Sequence, residues 1–108
     1  MTTTMLDALL KMVDTPRDGA LLRFGIANEL VRQERLEEAE AQLRQALVMQ
    51  PDYSAAWKLL GKVLVAAARP DAARLVYQDG IAVAELKGDL QAAKEMGVFL
   101  RRLDKAAG

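Results

Sequence analysis

The 108-residue chain contains neither cysteine nor histidine. The first absence excludes disulfides, thiolate nucleophiles and cysteine metal sites. The second removes the commonest general base and the commonest metal ligand. Aromatic residues are scarce, at 5% of the chain, and a β-sandwich or barrel would draw on more aromatic and β-branched side chains. Charge of one sign is missing too: 15 basic residues balance 15 acidic ones, so no net field draws the protein to nucleic acid or an anionic membrane. No run approaches the roughly 20 apolar residues of a membrane span. The amino-terminal MTTTMLDALLKMV has no basic leader and carries Asp7 and Lys11 within its apolar stretch, so it reads as a short helix and not a signal peptide. The expectation is a soluble, cytoplasmic protein of one domain, residues 1–108, with no cofactor and no metal.

What is present is alanine, leucine and helical periodicity. Leu6, Leu9, Leu10 and Val13 predict a short amphipathic helix over 4–13. Thr15-Pro16-Arg17-Asp18-Gly19 breaks it, since proline disfavours helix in the residue before it, and Asp18 is expected to cap the next helix. That helix, 20–33, carries Leu22, Ile26 and Leu30 along one stripe. A return helix from Leu36 to Met49 turns Leu36, Ala39, Leu43, Ala46 and Leu47 inward and Glu37, Glu40 and Arg44 to solvent. The Glu34-Arg35 link between them lacks glycine. Gln50-Pro51-Asp52-Tyr53 closes this hairpin, with Asp52 as a second expected cap. Helix four, from about Tyr53 to Ala67, carries Trp57, Leu60, Gly61 and Leu64, and Pro70 sits in the first turn of helix five, with Ala73, Tyr77, Gly80, Ile81 and Ala84. Gly88 supplies a stop and Asp89 a fresh cap for a last helix to about Lys105, which turns Leu90, Ala93, Met96 or Gly97, Leu100 and Leu103 inward. Links this short make successive helices antiparallel neighbours.

The chain also repeats itself at an offset of 34 positions, matching Leu30 to Leu64, Val31 to Val65, Ala39 to Ala73 and Leu43 to Tyr77. This is the period of stacked helical hairpins that bury their apolar faces against one another. The second hairpin carries Trp57, Leu60-Gly61, Leu64, Ala73, Tyr77 and Gly80; the first carries Ile26-Ala27, Leu30, Ala39, Leu43, Ala46 and a closing Pro51. On these residues, segments 20–53 and 54–87 resemble tetratricopeptide repeats. The small pairs Ala27/Gly61, Ala39/Ala73 and Ala46/Gly80 let helix backbones approach, and the larger residues fill the gaps. Departures from the pattern are Arg23 for a large aromatic, Glu85 for a second proline, and Glu34 and Ala68 for the glycine between paired helices. The resemblance implies an all-α, right-handed α-solenoid of antiparallel hairpins with about six helices. Segment 4–13 would pack like the second half of a preceding repeat, and 89–105 would cap the other end.

The resemblance further implies a non-catalytic module that holds a peptide or helix of a partner protein in a concave groove lined by the first helix of each pair. Carried over residue by residue, that groove is Leu21, Phe24, Asn28, Val31 and Arg32 with Ala55, Lys58, Lys62, Val65 and Ala66. Asn28/Arg32 and Lys58/Lys62 are each four apart and share a helix face, which suits an acidic or carboxylate-bearing peptide. Phe24 replaces a lysine of the set that grips chaperone tails, and a third repeat is absent, so chaperone-tail binding is not expected. Trp57 and Tyr77 sit at core positions and read as packing, not an aromatic cage. The cluster Glu34, Glu37, Glu38 and Glu40 reads as a solvated face. The Pro70 turn imitates a helix-turn-helix, but Asp71 and Asp79 outnumber Arg74 on the exposed side of helix five, which disfavours DNA. The alternative role is an assembly subunit, a monomer or weak homodimer self-associating through apolar terminal-helix faces at Met96, Phe99 and Leu100.

Overall fold

The computed structural model describes residues 4–107. Six helices follow in order: α1 (Met5–Leu10), α2 (Ala20–Arg32), α3 (Leu36–Met49), α4 (Ser54–Ala66), α5 (Pro70–Lys87) and α6 (Leu90–Ala107). Consecutive helices pack on one another, and α6 also reaches back across α5 to touch α4. The result is an elongated, solenoid-like stack of 49 × 29 × 18 Å with its core strung along the hairpins: Ile26, Leu30, Leu43, Leu60, Leu64, Tyr77 and Met96 are its large buried side chains.

The small residues read from the repeat sit where backbones meet. Ala27, Ala39, Ala46 and Ala73 are fully buried. A Cβ built on Gly61 would fall inside the Tyr77 ring, and one on Gly80 would lie 2.7 Å from Met96 Sδ and 2.9 Å from Trp57 Cβ. Both glycines therefore permit contacts that alanine would forbid.

Helix ends depart from the sequence expectation in instructive ways. α1 ends at Leu10, three residues short of the expected 13, because Met12 and Val13 make i→i−3 bonds to Leu9 and Leu10. Asp18 does not cap α2, whose N-cap is Gly19 with no side-chain bond. Its carboxylate is taken instead by the Arg23 guanidinium, at 2.9 Å from Nε and 2.8 Å from Nη2, and it also accepts from the Asp14 and Gly19 amides. This explains the charged residue at an aromatic position: Arg23 is tied down locally and reaches Gln42 on α3. Asp52 does not cap α4 either; Tyr53 occupies that position with no side-chain bond. Asp89 does act as expected, its Oδ1 accepting from the Ala92 amide at 3.2 Å.

The bond from Arg23, and the amides beside it, hold the Asp18 carboxyl far below its ordinary value of 3.8. A carboxyl depressed on folding contributes stability that is present above its unfolded pKa and lost as pH falls through the folded one. Thermal stability should therefore fall below about pH 4, and Asp18→Asn should flatten that part of the profile. An identical acid profile for the two proteins would show that the pair contributes nothing to stability.

α2, α4 and α5 all end in the same pair of bonds. After α2 the Glu34 amide donates to the Val31 carbonyl and the Arg35 amide to that of Leu30; after α4, Ala68 donates to Val65 and Arg69 to Leu64. The Gly88 and Asp89 amides close α5 on Glu85 and Ala84 in the same way. This termination needs a left-handed residue. Gly88 supplies it at φ 86°, but Glu34 and Ala68 are forced to φ 59°. Left-handed backbone costs an L-residue about 1–2 kcal/mol, partly offset by glycine's greater unfolded entropy. Ala68→Gly should thus raise stability by about 0.5–1 kcal/mol, read as a higher urea midpoint at unchanged slope. A lower midpoint would mean the strain is not felt there.

The third turn of the stack is shifted in register. α5 runs 18 residues against 14 for its counterpart α3, replacing the closing proline by an added helical turn through Glu85. Lys87 Nζ anchors that turn to the Asp52 carbonyl at 3.0 Å. As a result α6 begins at Leu90, 36 positions after Ser54 begins α4. Buried Ala92 and Met96 then stand where α4 has buried Ala56 and Leu60.

Candidate functional site

The expected groove residues divide into two groups. On α2, Leu21 projects into solvent, while Phe24 is half-buried against the Tyr53 ring at 5.2 Å. Asn28 is exposed and its Nδ2 donates to the Phe24 carbonyl; Arg32 is exposed and pairs with Glu29 at 3.1 Å. Val31 is half-buried. None of these α2 residues lines the pocket found at the other end of the face.

On α4, Lys58, Lys62 and Val65 turn toward α6, and this is where geometry and charge converge. Lys58 Nζ is bonded to Glu95 Oε2 at 2.8 Å, and that bond holds the Glu95 carboxyl below its ordinary range. Lys58 is thus engaged in fastening α6 to α4. One turn on, Lys62 Nζ lies 5.1 Å from the centre of the Phe99 ring, and Arg102 lies 5.8 Å from the same centre. Phe99 is tilted against Tyr77 at 5.8 Å, and burial pushes the Tyr77 phenol up to about 12. Beneath the two cations lies a pocket of about 370 Å³, lined by Lys62, Val65, Tyr77, Phe99, Arg102, Leu103 and Ala106. Ala55 and Ala66 of the expected groove do not contribute to it.

Sequence reasoning missed Glu95, Phe99, Arg102 and Leu103 as companions of the groove. Their spacing in α6 puts them on one helix face, but which part of α4 that face meets depends on the longer α5. The self-association candidates are corrected as well. Met96 is fully buried under Gly80, and Phe99 and Leu100 are half-buried against the core. The large apolar residues exposed on α5 and α6 are Leu75, Leu86 and Leu90, at 63%, 92% and 61%. Leu90 lines a second trough between α5 and α6 with Ile81, Ala93, Gly97 and Val98, whereas Leu86 lies beside Pro51, Asp52 and Val83.

Among the described residues no group of three or more candidate metal ligands comes together. Glu38 pairs with Arg35 at 2.7 Å, and Glu40 with Arg44 at 2.9 Å and Arg69 at 2.6 Å. No helix among the described residues is long and apolar enough to cross a membrane.

Paired helices of this period, with small residues at each crossing, define a helical-repeat protein. The family model of the tetratricopeptide repeat matches residues 24–89. A TPR repeat-containing protein of Pseudomonas aeruginosa is 44% identical over 102 residues, covering 94% of this chain and 97% of its own. The chain belongs to the tetratricopeptide repeat family, whose members are in general non-catalytic scaffolds for protein–protein interaction. Among solved structures, a Bordetella parapertussis protein aligns with a TM-score of 0.85 at 37% identity, covering 97% of this chain and 91% of that one. A tetratricopeptide repeat domain protein of Salinibacter ruber aligns with a TM-score of 0.77 at 25% identity, covering 85% and 92%.

Proposed function

We propose that the protein is a non-catalytic adaptor that holds a segment of a partner protein on the face shared by α2, α4 and α6. The observation that carries this reading is the open apolar pocket between α4 and α6, to which Lys62 and Val65 of the expected groove contribute. Apolar surface left accessible beside charged residues is what a recognition surface requires, since the apolar part supplies affinity and the charges supply orientation and on-rate. Family membership supports the class of function, and the pocket supports the face.

Val65 offers a clean test, because it is exposed enough for substitution to cost within about 0.5 kcal/mol, yet it lines the pocket. Partners captured from the native lysate by the wild type should be lost to Val65→Glu and kept by Val48→Glu, which alters an exposed residue of α3. A partner kept by Val65→Glu and lost with Val48→Glu would move the binding face to the opposite side. The second reading, self-association, is favoured by one observation, the exposure of Leu90 in the α5–α6 trough.

A further inference from the structure

We infer that the α4–α6 pocket selects an acidic peptide segment, seating one large apolar side chain against Val65, Tyr77, Phe99 and Leu103 while its flanking carboxylates pair with Lys62 and Arg102. The inference rests on the adaptor reading and adds the chemistry of the ligand. Its first support is the separation of apolar floor from charged rim. Only Lys62 and Arg102 among the lining residues carry charge, and both are cations set over one ring. The volume, about 370 Å³, falls at the low end of the roughly 300–1,000 Å³ typical of ligand sites, which suits a side-chain anchor.

The second support is charge complementarity. The two nearby carboxylates of α6 are already taken, Glu95 by Lys58 at 2.8 Å and Asp104 by Arg74 at 3.0 Å. Lys62 and Arg102 make no ion pair among the described residues: Lys62 feels the Glu95 charge only at longer range, and both cations lie over the Phe99 ring. A cation over an aromatic face at an exposed site is held only weakly, so both remain available to a carboxylate. Two like charges sharing one ring also repel, and an anion placed between them relieves that repulsion.

The third support is internal to the stack. Counting back 34 positions in the hairpins and 36 in α6, the same places one turn earlier are held by Asn28, Val31, Leu43, Val63, Ala66, Ala67 and Pro70. Asn28 becomes Lys62, Val63 becomes Phe99, Ala66 becomes Arg102 and Leu43 becomes Tyr77. The scaffold repeats but this chemistry does not: cations and aromatics are introduced together, at one end only. Packing does not demand both, because Lys62 and Arg102 are exposed.

A random dodecapeptide library displayed on phage, selected on the full-length protein, tests the inference. Enriched sequences should centre on Leu, Phe, Ile or Met flanked by Asp or Glu. Synthetic peptides from that pool should lose at least about tenfold in affinity when their acids become Asn and Gln, and as much against a Lys62→Glu/Arg102→Glu protein. Binding should also weaken as salt is raised. Enrichment of neutral or basic sequences, no enrichment, dependence on a free carboxyl terminus alone, or undiminished binding to the folded double variant would each overturn it. If the selection fails while Val65→Glu still loses its lysate partner, the ligand chemistry is wrong and the adaptor reading stands. If Val65→Glu loses nothing, the adaptor face itself is wrong.

Discussion

Gly61→Ala is expected to destabilise the protein by about 2 kcal/mol, and adding Tyr77→Leu to recover most of that loss. Helix propensity alone would favour alanine by about 1 kcal/mol, so the steric penalty must exceed that gain. It does, because the added methyl would fall inside the Tyr77 ring. The ring cannot step aside: it is 1% exposed, with Phe99 against it at 5.8 Å. Overpacking of this kind costs about 1–3 kcal/mol and occasionally more.

The rescue is read from the protein's own first hairpin, where the corresponding positions hold Ala27 and Leu43, both fully buried. A methyl opposite leucine there fills the space that no methyl opposite tyrosine fills in the second hairpin. The double variant imports a pair the scaffold already accommodates, and its coupling should appear as a non-additive cycle in denaturant unfolding. Additive costs, or a Gly61→Ala protein within about 0.5 kcal/mol of wild type, would show that the two helices separate readily at this crossing.

That pairing was legible before any coordinates, because a period of 34 aligns Gly61 with Ala27 and Tyr77 with Leu43. Helix limits were legible wherever apolar spacing or a proline marked them, as at Leu36, Met49 and Pro70. Caps were less so. Asp18 and Asp89 look alike in sequence, each just ahead of an apolar run, yet one is claimed by Arg23, an interaction that propensity rules do not weigh. The site was half legible for a different reason. Lys62 and Val65 follow from repeat position alone, whereas Glu95, Phe99 and Arg102 join them only because α5 is longer than α3 and shifts α6. A strict 34-residue register would give Phe99 the repeat place of Val65, whereas the shifted helix gives it the place of buried Val63.

The same shift governs the last expectation: Met96→Lys should abolish cooperative folding, whereas Leu90→Lys should leave stability within about 0.5 kcal/mol of wild type. Periodicity leaves either Met96 or Gly97 as the inward residue of α6, and the structure chooses Met96, fully buried with its sulfur over Gly80. An ammonium in that fully buried place, beside Gly80 and Trp57, must give up its hydration or its charge. Depressing a lysine by the 3–5 units seen for fully buried groups costs about 4–7 kcal/mol, against a total domain stability of about 5–15 kcal/mol. Leu90, at the exposed start of α6, carries no such burden. Circular dichroism with thermal melts separates the two variants directly. Sedimentation of wild type beside Leu90→Lys then tests self-association with a protein that remains folded. A concentration-dependent dimer dispersed by Leu90→Lys would establish the α5–α6 trough as a self-interface, and a strict monomer would eliminate it. A well-folded Met96→Lys protein would mean that α6 can lift from Gly80 without loss, and the pocket it builds with α4 would then be a transient feature.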